Sequence, residues 1–237
     1  MLEQLIDFFT LTQQESNALR LSLEVSVTAM LWNLPFAVFA AWLLTRKNFY
    51  GKSIVDGLLH LPLVLPPVVI GYLLLVVMGR NGVIGQYLFS WFGISFAFSW
   101  RGAVLASMVM SFPLVVRTIR LSLESIDPKL EQAARTLGAS VWRVFFTITL
   151  PLALPGVLAG VILGFARSLG EFGATITFVS NIEGQTQTIP LAMYSFIQTP
   201  GAEEQTFKLC VLSIILSLSS LVLSEYLAKR MKARLGQ

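Results

Sequence analysis

Five stretches of this chain run for about 18 residues or more with almost no charge, and each is long enough to cross the hydrocarbon core of a bilayer as a helix. They are Ala18 to Leu44, Ile54 to Met78, Gly102 to Ile119, Leu152 to Leu169 and Phe207 to Ala228. Each stops at a basic cluster or a turn, such as Thr45-Arg46-Lys47, Gly79-Arg80-Asn81-Gly82 or Lys229-Arg230-Met231-Lys232. Only 13% of the 237 residues are charged, against roughly a quarter in a soluble domain. That scarcity excludes an ordinary soluble enzyme, and a hydrophobic share of 55% excludes disorder. The expectation is an all-α integral membrane protein with five transmembrane helices at about 18–45, 54–79, 102–120, 151–170 and 207–228. They form one transmembrane domain over 1–237, with a connecting loop at about 124–150. The start carries Glu3, Asp7 and Glu15 and no basic residue before Arg20, unlike a signal peptide, so the first span is expected to stay in the mature protein.

Charge placement orients the spans. The loop after span one holds Arg46, Lys47 and Lys52. The loop after span three holds Arg117, Arg120, Lys129, Arg135 and Arg143, and the tail holds Lys229, Arg230, Lys232 and Arg234. Twelve of the 17 basic residues thus share one side, while Glu171, Glu183, Glu203 and Glu204 join the acidic start on the other. The positive-inside rule then places the amino end outside and the carboxyl end in the cytoplasm. Val83 to Phe98 is apolar but short, and it is interrupted by Gly85 and Gly93; a sixth span there would break this pattern. Because the basic residues flank hydrophobic helices, the charge of +4 gives no reason to expect a nucleic-acid partner.

Little chemistry is available inside the bilayer. One cysteine, Cys210, and one histidine, His60, exclude an internal disulfide framework and a thiolate or histidine metal cluster. Gly51-Lys52-Ser53 hints at a phosphate-binding loop, but Arg46 stands where that pattern needs its first glycine, and the triplet is expected to turn the chain into a helix. No nucleophile, base and orienting partner occur together. The ionisable residues at membrane depth are Glu24, Asp56, His60 and Arg167. Asp56 is expected to reach water from the end of its span, and His60 to be a hydrogen-bonded structural residue. Arg167 either pairs with Glu171 four residues on or serves at a gate.

Prolines punctuate the spans at Pro35, Pro62, Pro66, Pro67, Pro113 and Pro155, which suits either kinked packing or helices that line a path. Gly156, Gly160 and Gly164 form a small-residue stripe on span four, and Ser213, Ser217, Ser220 and Ser224 share a face of span five. Both read as helix-packing seams.

The loop between spans three and four carries the most specific pattern. Gln132-Ala133-Ala134, three residues, Gly138, nine residues, Ile148, one residue and Leu150-Pro151 resembles the EAA motif of ABC-importer permeases. Gln132 stands at the motif's glutamate, and Glu131 lies one place before it. Phe49 to Ser53, Leu61-Pro62, Pro66-Pro67, Gly71, Arg135 to Gly138 and Ala166-Arg167-Ser168-Leu169-Gly170-Glu171-Phe172-Gly173-Ala174 extend the resemblance over nearly the whole chain. These segments are similar to the bacterial molybdate permease family, within the oxyanion permeases that include sulfate and tungstate permeases.

The resemblance implies a permease subunit that forms the path for an oxyanion, foremost molybdate. A sulfate, thiosulfate or tungstate permease is the alternative, with an ATP-independent channel or secondary transporter more remote. The implied partners are a second copy of the permease, two ATP-binding cassette subunits and a periplasmic or extracytoplasmic oxyanion-binding protein, all at the bacterial inner membrane. No cofactor is expected in this chain, since ATP-Mg would sit on the ATPase. A coupling helix from about Pro128 to Trp142 would insert into the ATPase through Glu131, Gln132, Ala133, Ala134, Arg135, Leu137 and Gly138, with Ala133, Ala134 and Gly138 permitting close approach. Arg167, Ser168, Gly170, Glu171, Phe172, Thr175, Pro66 and Pro67 would belong to the path or its gate, with Thr175, Thr177 and Ser180 as hydrogen-bond donors to the anion.

Overall fold

A computed structural model describes residues 10–235, with side chains through Met231. Glu3 and Asp7 of the acidic start, and the side chains of Lys232 and Arg234 in the tail, lie outside the described residues. The described chain is helical throughout, with no strand. Helix α1 spans Gln13–Arg46. A capping box opens it: the Glu15 N–H donates to Thr12 Oγ1 at 3.3 Å, and the Thr12 N–H donates to Glu15 Oε2 at 2.7 Å.

Gly51, in the left-handed region at φ 84°, turns the chain into α2 (Lys52–Val64), so the Gly-Lys-Ser triplet is indeed a helix start. The second apolar run is not one continuous helix. Leu65 precedes Pro66 and Pro66 precedes Pro67, and a residue before proline is pushed out of the helical region. Both adopt extended ψ values, 145° and 135°, and α3 (Pro67–Met78) leaves at 115° to α2. The Val83 to Phe98 stretch yields only α4 (Gly85–Phe92), too short to span. Among the described residues four helices are long and apolar enough to cross a membrane, or five if the bent pair counts as one.

The packing says that it does. Helix α5 (Trp100–Glu124) lies beside α1 and runs the same way. Near their starts Asn17, Arg20 and Glu24 share a cleft with Phe98, Ser99 and Trp100. Midway, Asn33 Nδ2 donates to Ser111 Oγ and to the Met108 carbonyl, both at 3.0 Å. At their ends Arg46 Nη2 donates to the Leu123 carbonyl at 3.0 Å. Parallel neighbours need a return crossing between them, and α2 with α3 supplies it.

Beyond α5 come α6 (Pro128–Thr136) and α7 (Val141–Val144), then a π-helical turn at Phe145–Thr149 that runs into α8 (Leu150–Leu169). The π turn has a cause in the sequence. The ring of Pro151 would clash with the carbonyl four residues back, and the chain widens by one residue there. The Leu150 N–H accordingly reaches the Phe145 carbonyl. Helix α8 returns antiparallel to α5. Gly156, Gly160 and Gly164 lie against Ser122, Val115 with Ile119, and Val115 with Met30, so the glycine stripe is a packing seam. Fully buried alanines at positions 29, 37, 41, 103, 106 and 153 let the same three helices approach closely.

Two short helices, α9 (Gly173–Val179) and α10 (Ile189–Ile197), separate α8 from the last helix, α11 (Glu203–Leu235). The Ile189 N–H donates to Ser22 Oγ at 2.7 Å, which ties α10 to the start of α1. Leu209 packs near Ala18, while Ser220 and Leu223 share a cavity with Met30 and Leu34, so α11 runs parallel to α1. The first and last described residues therefore lie at opposite ends of the bundle. Ser220 and Ser224 are buried as a seam requires, but Ser217 is exposed, so the serine face is narrower than its spacing suggests.

Candidate coupling and translocation sites

At the end of the bundle that carries Arg46, Asp127 caps α6, accepting the Lys129 N–H at 2.9 Å, and Pro128 occupies the first turn. The coupling helix expected from Pro128 to Trp142 is shorter than that. It stops at Thr136, Gly138 takes φ 83°, and Ser140 then caps α7, accepting the Arg143 N–H at 3.3 Å, so Trp142 belongs to the next helix. A Cβ built on Gly138 meets nothing within 4 Å in this chain. Within this chain, glycine here suits a left-handed helix terminus and owes nothing to internal crowding.

The candidate coupling residues divide between two faces. Gln132, Ala133, Arg135, Leu137 and Gly138 are exposed, Leu137 to 89%, and Ala134 is half-buried. Leu130, Ala133, Leu137 and Trp142 leave an apolar ridge, flanked by Lys129, Arg135 and Arg143, that is exposed among the described residues. Glu131 is turned inward and is 8% exposed. Its Oε1 accepts from Arg46 Nε at 3.0 Å and from the Thr149 hydroxyl at 2.9 Å. Arg46 also reaches two carbonyls at the end of α5, Leu123 at 3.0 Å and Ile126 at 3.5 Å. Close by, Trp42 stacks on Trp142 with ring centroids 6.1 Å apart and meets Phe145 edge-on at 5.8 Å.

The candidate path residues gather near mid-bundle: Gly164, three residues before Arg167, lies against Val115 and Met30, at about the level of the Asn33–Ser111 contact. Arg167 Nη1 donates to Glu171 Oε2 at 2.7 Å, so the helix ion pair is present. The Glu171 side chain is 2% exposed, and its Oε1 accepts the Ala174 N–H at 2.8 Å, which holds the first turn of α9. Pro67 and Gly173, over a hundred positions apart, are in contact, and a Cβ on Gly173 would lie 2.7 Å from Pro67 Cβ. One on Gly71 would lie 2.5 Å from the Ala174 carbonyl oxygen. The two proline-bearing and glycine-bearing segments singled out separately in the sequence therefore form one crossing. Phe172 packs on Tyr194 at 5.2 Å, Pro66 and Gly170 are exposed, and the Ser168 hydroxyl is buried with no hydrogen-bond partner among the described residues.

Two of the expected anion donors are otherwise placed. Thr175 is only 1% exposed inside the chain, and the Thr177 hydroxyl proton goes to the Gly173 carbonyl at 2.9 Å. Ser180 sits at φ 63°, and its carbonyl accepts from Thr186 Oγ1 at 3.0 Å. Asp56 does not simply meet water. Arg120 Nη1 donates to both of its carboxylate oxygens, at 3.1 and 3.0 Å, and His60 Nδ1 lies 2.8 Å from its carbonyl oxygen. Arg20 and Glu24 form an exposed ion pair at 2.7 Å.

Sequence reasoning missed Arg46 and Thr149 as site residues. Arg46 counts there only as a topogenic charge, and Thr149 falls among the motif's unspecified positions. A basic residue closing span one, 85 positions before a glutamate in the loop between spans three and four, leaves no local signal of their pairing.

Residues 33–233 match the family described as binding-protein-dependent transport system inner membrane component. The chain is 77% identical to the molybdenum transport system permease protein ModB of Haemophilus influenzae over 94% of this chain and 97% of that protein. It is 66% identical to the protein of the same name from Escherichia coli over 96% and 99% of the two chains. Its fold resembles that of a bacterial ABC transporter involved in the import of the acidic polysaccharide alginate, with a TM-score of 0.75 and 17% identity over 96% of this chain and 83% of that one. The chain belongs to the binding-protein-dependent transport system inner membrane components, and is a multi-pass membrane subunit of a transport system rather than a catalytic enzyme.

Proposed function

We propose that this chain is the permease subunit of an ATP-driven importer and forms the translocation path for molybdate. The observation that carries the reading is 77% identity, over nearly the full length of both chains, to a protein named a molybdenum transport permease. A paired arrangement of two such chains, two ATP-binding subunits and an extracytoplasmic binding protein completes the machine. The amino end faces outward and the carboxyl end the cytoplasm. Arg46, Lys47, Lys52, Lys129, Arg135 and Arg143 then lie at the cytoplasmic face, in line with the positive-inside rule.

The physical division of labour follows. The chain offers no nucleotide-binding loop, so its free energy comes from a partner, through a surface that the partner can push. The exposed ridge of Leu130, Ala133 and Leu137 is such a surface, and Gln132, Ala134, Arg135 and Gly138 border it. ATP-Mg is held by the ATPase. Closure of the two ATPases draws the two docking helices together, and the permeases rock between states open to either side. Near the middle of the bundle, the Pro67–Gly173 crossing and the segment Arg167 to Phe172 sit where α3 meets α9, two short helices that can shift as units.

Reconstitution into liposomes with the partner ATPase and binding protein tests this. Molybdate with its binding protein should stimulate ATP hydrolysis and accumulate inside. Stimulation by sulfate with none by molybdate overturns the substrate, and molybdate flux without ATP overturns the importer.

A further inference from the structure

One carboxylate ties the docking helix to the rest of the bundle. Glu131 opens α6, and its Oε1 alone accepts from Arg46 at the end of α1 and from Thr149 in the π turn that leads into α8. Arg46 carries the tie onward to the Leu123 carbonyl in the last turn of α5 and the Ile126 carbonyl just beyond it. The exposed face of α6 is therefore free to meet a partner, while its inner face is joined to all three long helices of the core. The neighbouring Trp42–Trp142–Phe145 cluster joins α1 to the same π turn by a second, apolar route. Among the described residues, the polar tie from α6 into the bundle runs through the Glu131 carboxylate.

We propose that Glu131 is a positioning residue for energy coupling, its carboxylate the joint through which displacement of α6 is passed to Arg46 on α1 and Thr149 at the foot of α8. The proposal rests on the importer reading above. A charged acceptor bound by two donors out of water is stiff, since breaking either bond leaves a desolvated charge. It is also directional: a push on the outer face of α6 loads the joint against the ends of α1, α5 and α8 together. The π turn beside it is the place where α8 has already departed from regular helix geometry, so it can absorb a change of register there.

The test compares the unmodified complex with Glu131→Gln, Thr149→Val and the double variant. Lys229→Ala, in an exposed ion pair on α11, is the control. The first readout is anions transported per ATP hydrolysed. Glu131→Gln should lower that ratio about tenfold, the equivalent of roughly one charge-assisted hydrogen bond. Thr149→Val should lower it less, and the double variant no further than Glu131→Gln. A merely structural glutamate would reduce the amount of assembled complex and leave the ratio per complex unchanged, and that result overturns the proposal. The second readout needs no partner: amide exchange across residues 128–136 of the permease alone in nanodiscs. Exchange there should quicken about tenfold in Glu131→Gln and stay as before within α5. If the unmodified complex moves no oxyanion, the functional reading has failed, and unchanged exchange across 128–136 then overturns the joint on its own.

Discussion

Gly173 packs so tightly on Pro67 that a Cβ on the glycine would lie 2.7 Å from the proline's own Cβ. The contact joins the kink of a broken span to the first turn of α9. Gly71, one turn further along α3, belongs to the same crossing, and a Cβ there would lie 2.5 Å from the Ala174 carbonyl oxygen. A backbone oxygen cannot swing aside as a flexible side chain can. Gly71→Ala should therefore destabilise the protein by about 1–3 kcal/mol through overpacking. Gly57→Ala is the contrast, because a Cβ there meets nothing within 4 Å and alanine favours a helix interior by about 0.5–1 kcal/mol. Thermal midpoints in detergent check the pair, and equal midpoints would remove the argument for a packed crossing.

The glycine stripe of α8 predicts an order of costs. A Cβ on Gly156 would overlap Ser122 Cβ. One on Gly164 would lie 2.5 Å from Val115 Cγ2 and 2.7 Å from Met30 Sδ, the latter a flexible side chain that can yield. One on Gly160 would come no closer than 3.3 Å to the Val115 carbonyl. Alanine should thus cost most at 156, less at 164 and about 1 kcal/mol or less at 160. Denaturant titration of the three variants in mixed micelles reads the order directly.

The parts of this molecule that were legible in the sequence are those written in local pattern. Apolar runs gave the long helices, and the spacing of Gly156, Gly160 and Gly164 gave their seam. Pro66-Pro67 announced a break, because proline constrains its own φ and its predecessor's ψ. The size of that bend, 115°, depends on what α3 packs against, and no local rule contains it. The loop between α5 and α8 is visible as a motif, yet its helix ends at Thr136 because Gly138 adopts φ 83°, a choice the spacing alone leaves open. The inward turn of Glu131 is illegible for a related reason. A motif states which residues recur, but which face of α6 turns inward is decided by Arg46 and Thr149, which arrive from distant parts of the chain.

Glu171 is held twice, by Arg167 and by the Ala174 N–H, and is almost wholly buried. Glu171→Gln should destabilise the protein by about 1.5–3 kcal/mol, the usual loss for hydrogen bonds to a charged group. Arg167→Gln leaves the carboxylate buried without its cation and should also destabilise. The double variant should cost less than the two together, since the second change removes what the first left unpaired. A gate role adds a separate signature: transport per folded complex falls in Arg167→Gln, beyond what the loss of folded protein explains. Additive stability losses in the double-mutant cycle would show that the pair is not coupled.

Gly138 separates two reasons for one glycine. If a partner's close approach alone required it, any side chain would harm, roughly in order of size. The structure gives another criterion, since φ 83° costs an ordinary L-residue about 1–2 kcal/mol and a β-branched one more, while asparagine tolerates the left-handed region. Gly138→Val should therefore detach or misdirect the end of α6 and lose both ATPase retention and molybdate transport. Gly138→Asn, nearly as large, should keep most of both, and Gly138→Ala should fall between them. Co-purification of the ATPase with each variant, beside initial uptake rates in liposomes, makes the comparison. Losses that follow side-chain volume, with asparagine as damaging as valine, would return the requirement to contact with the partner.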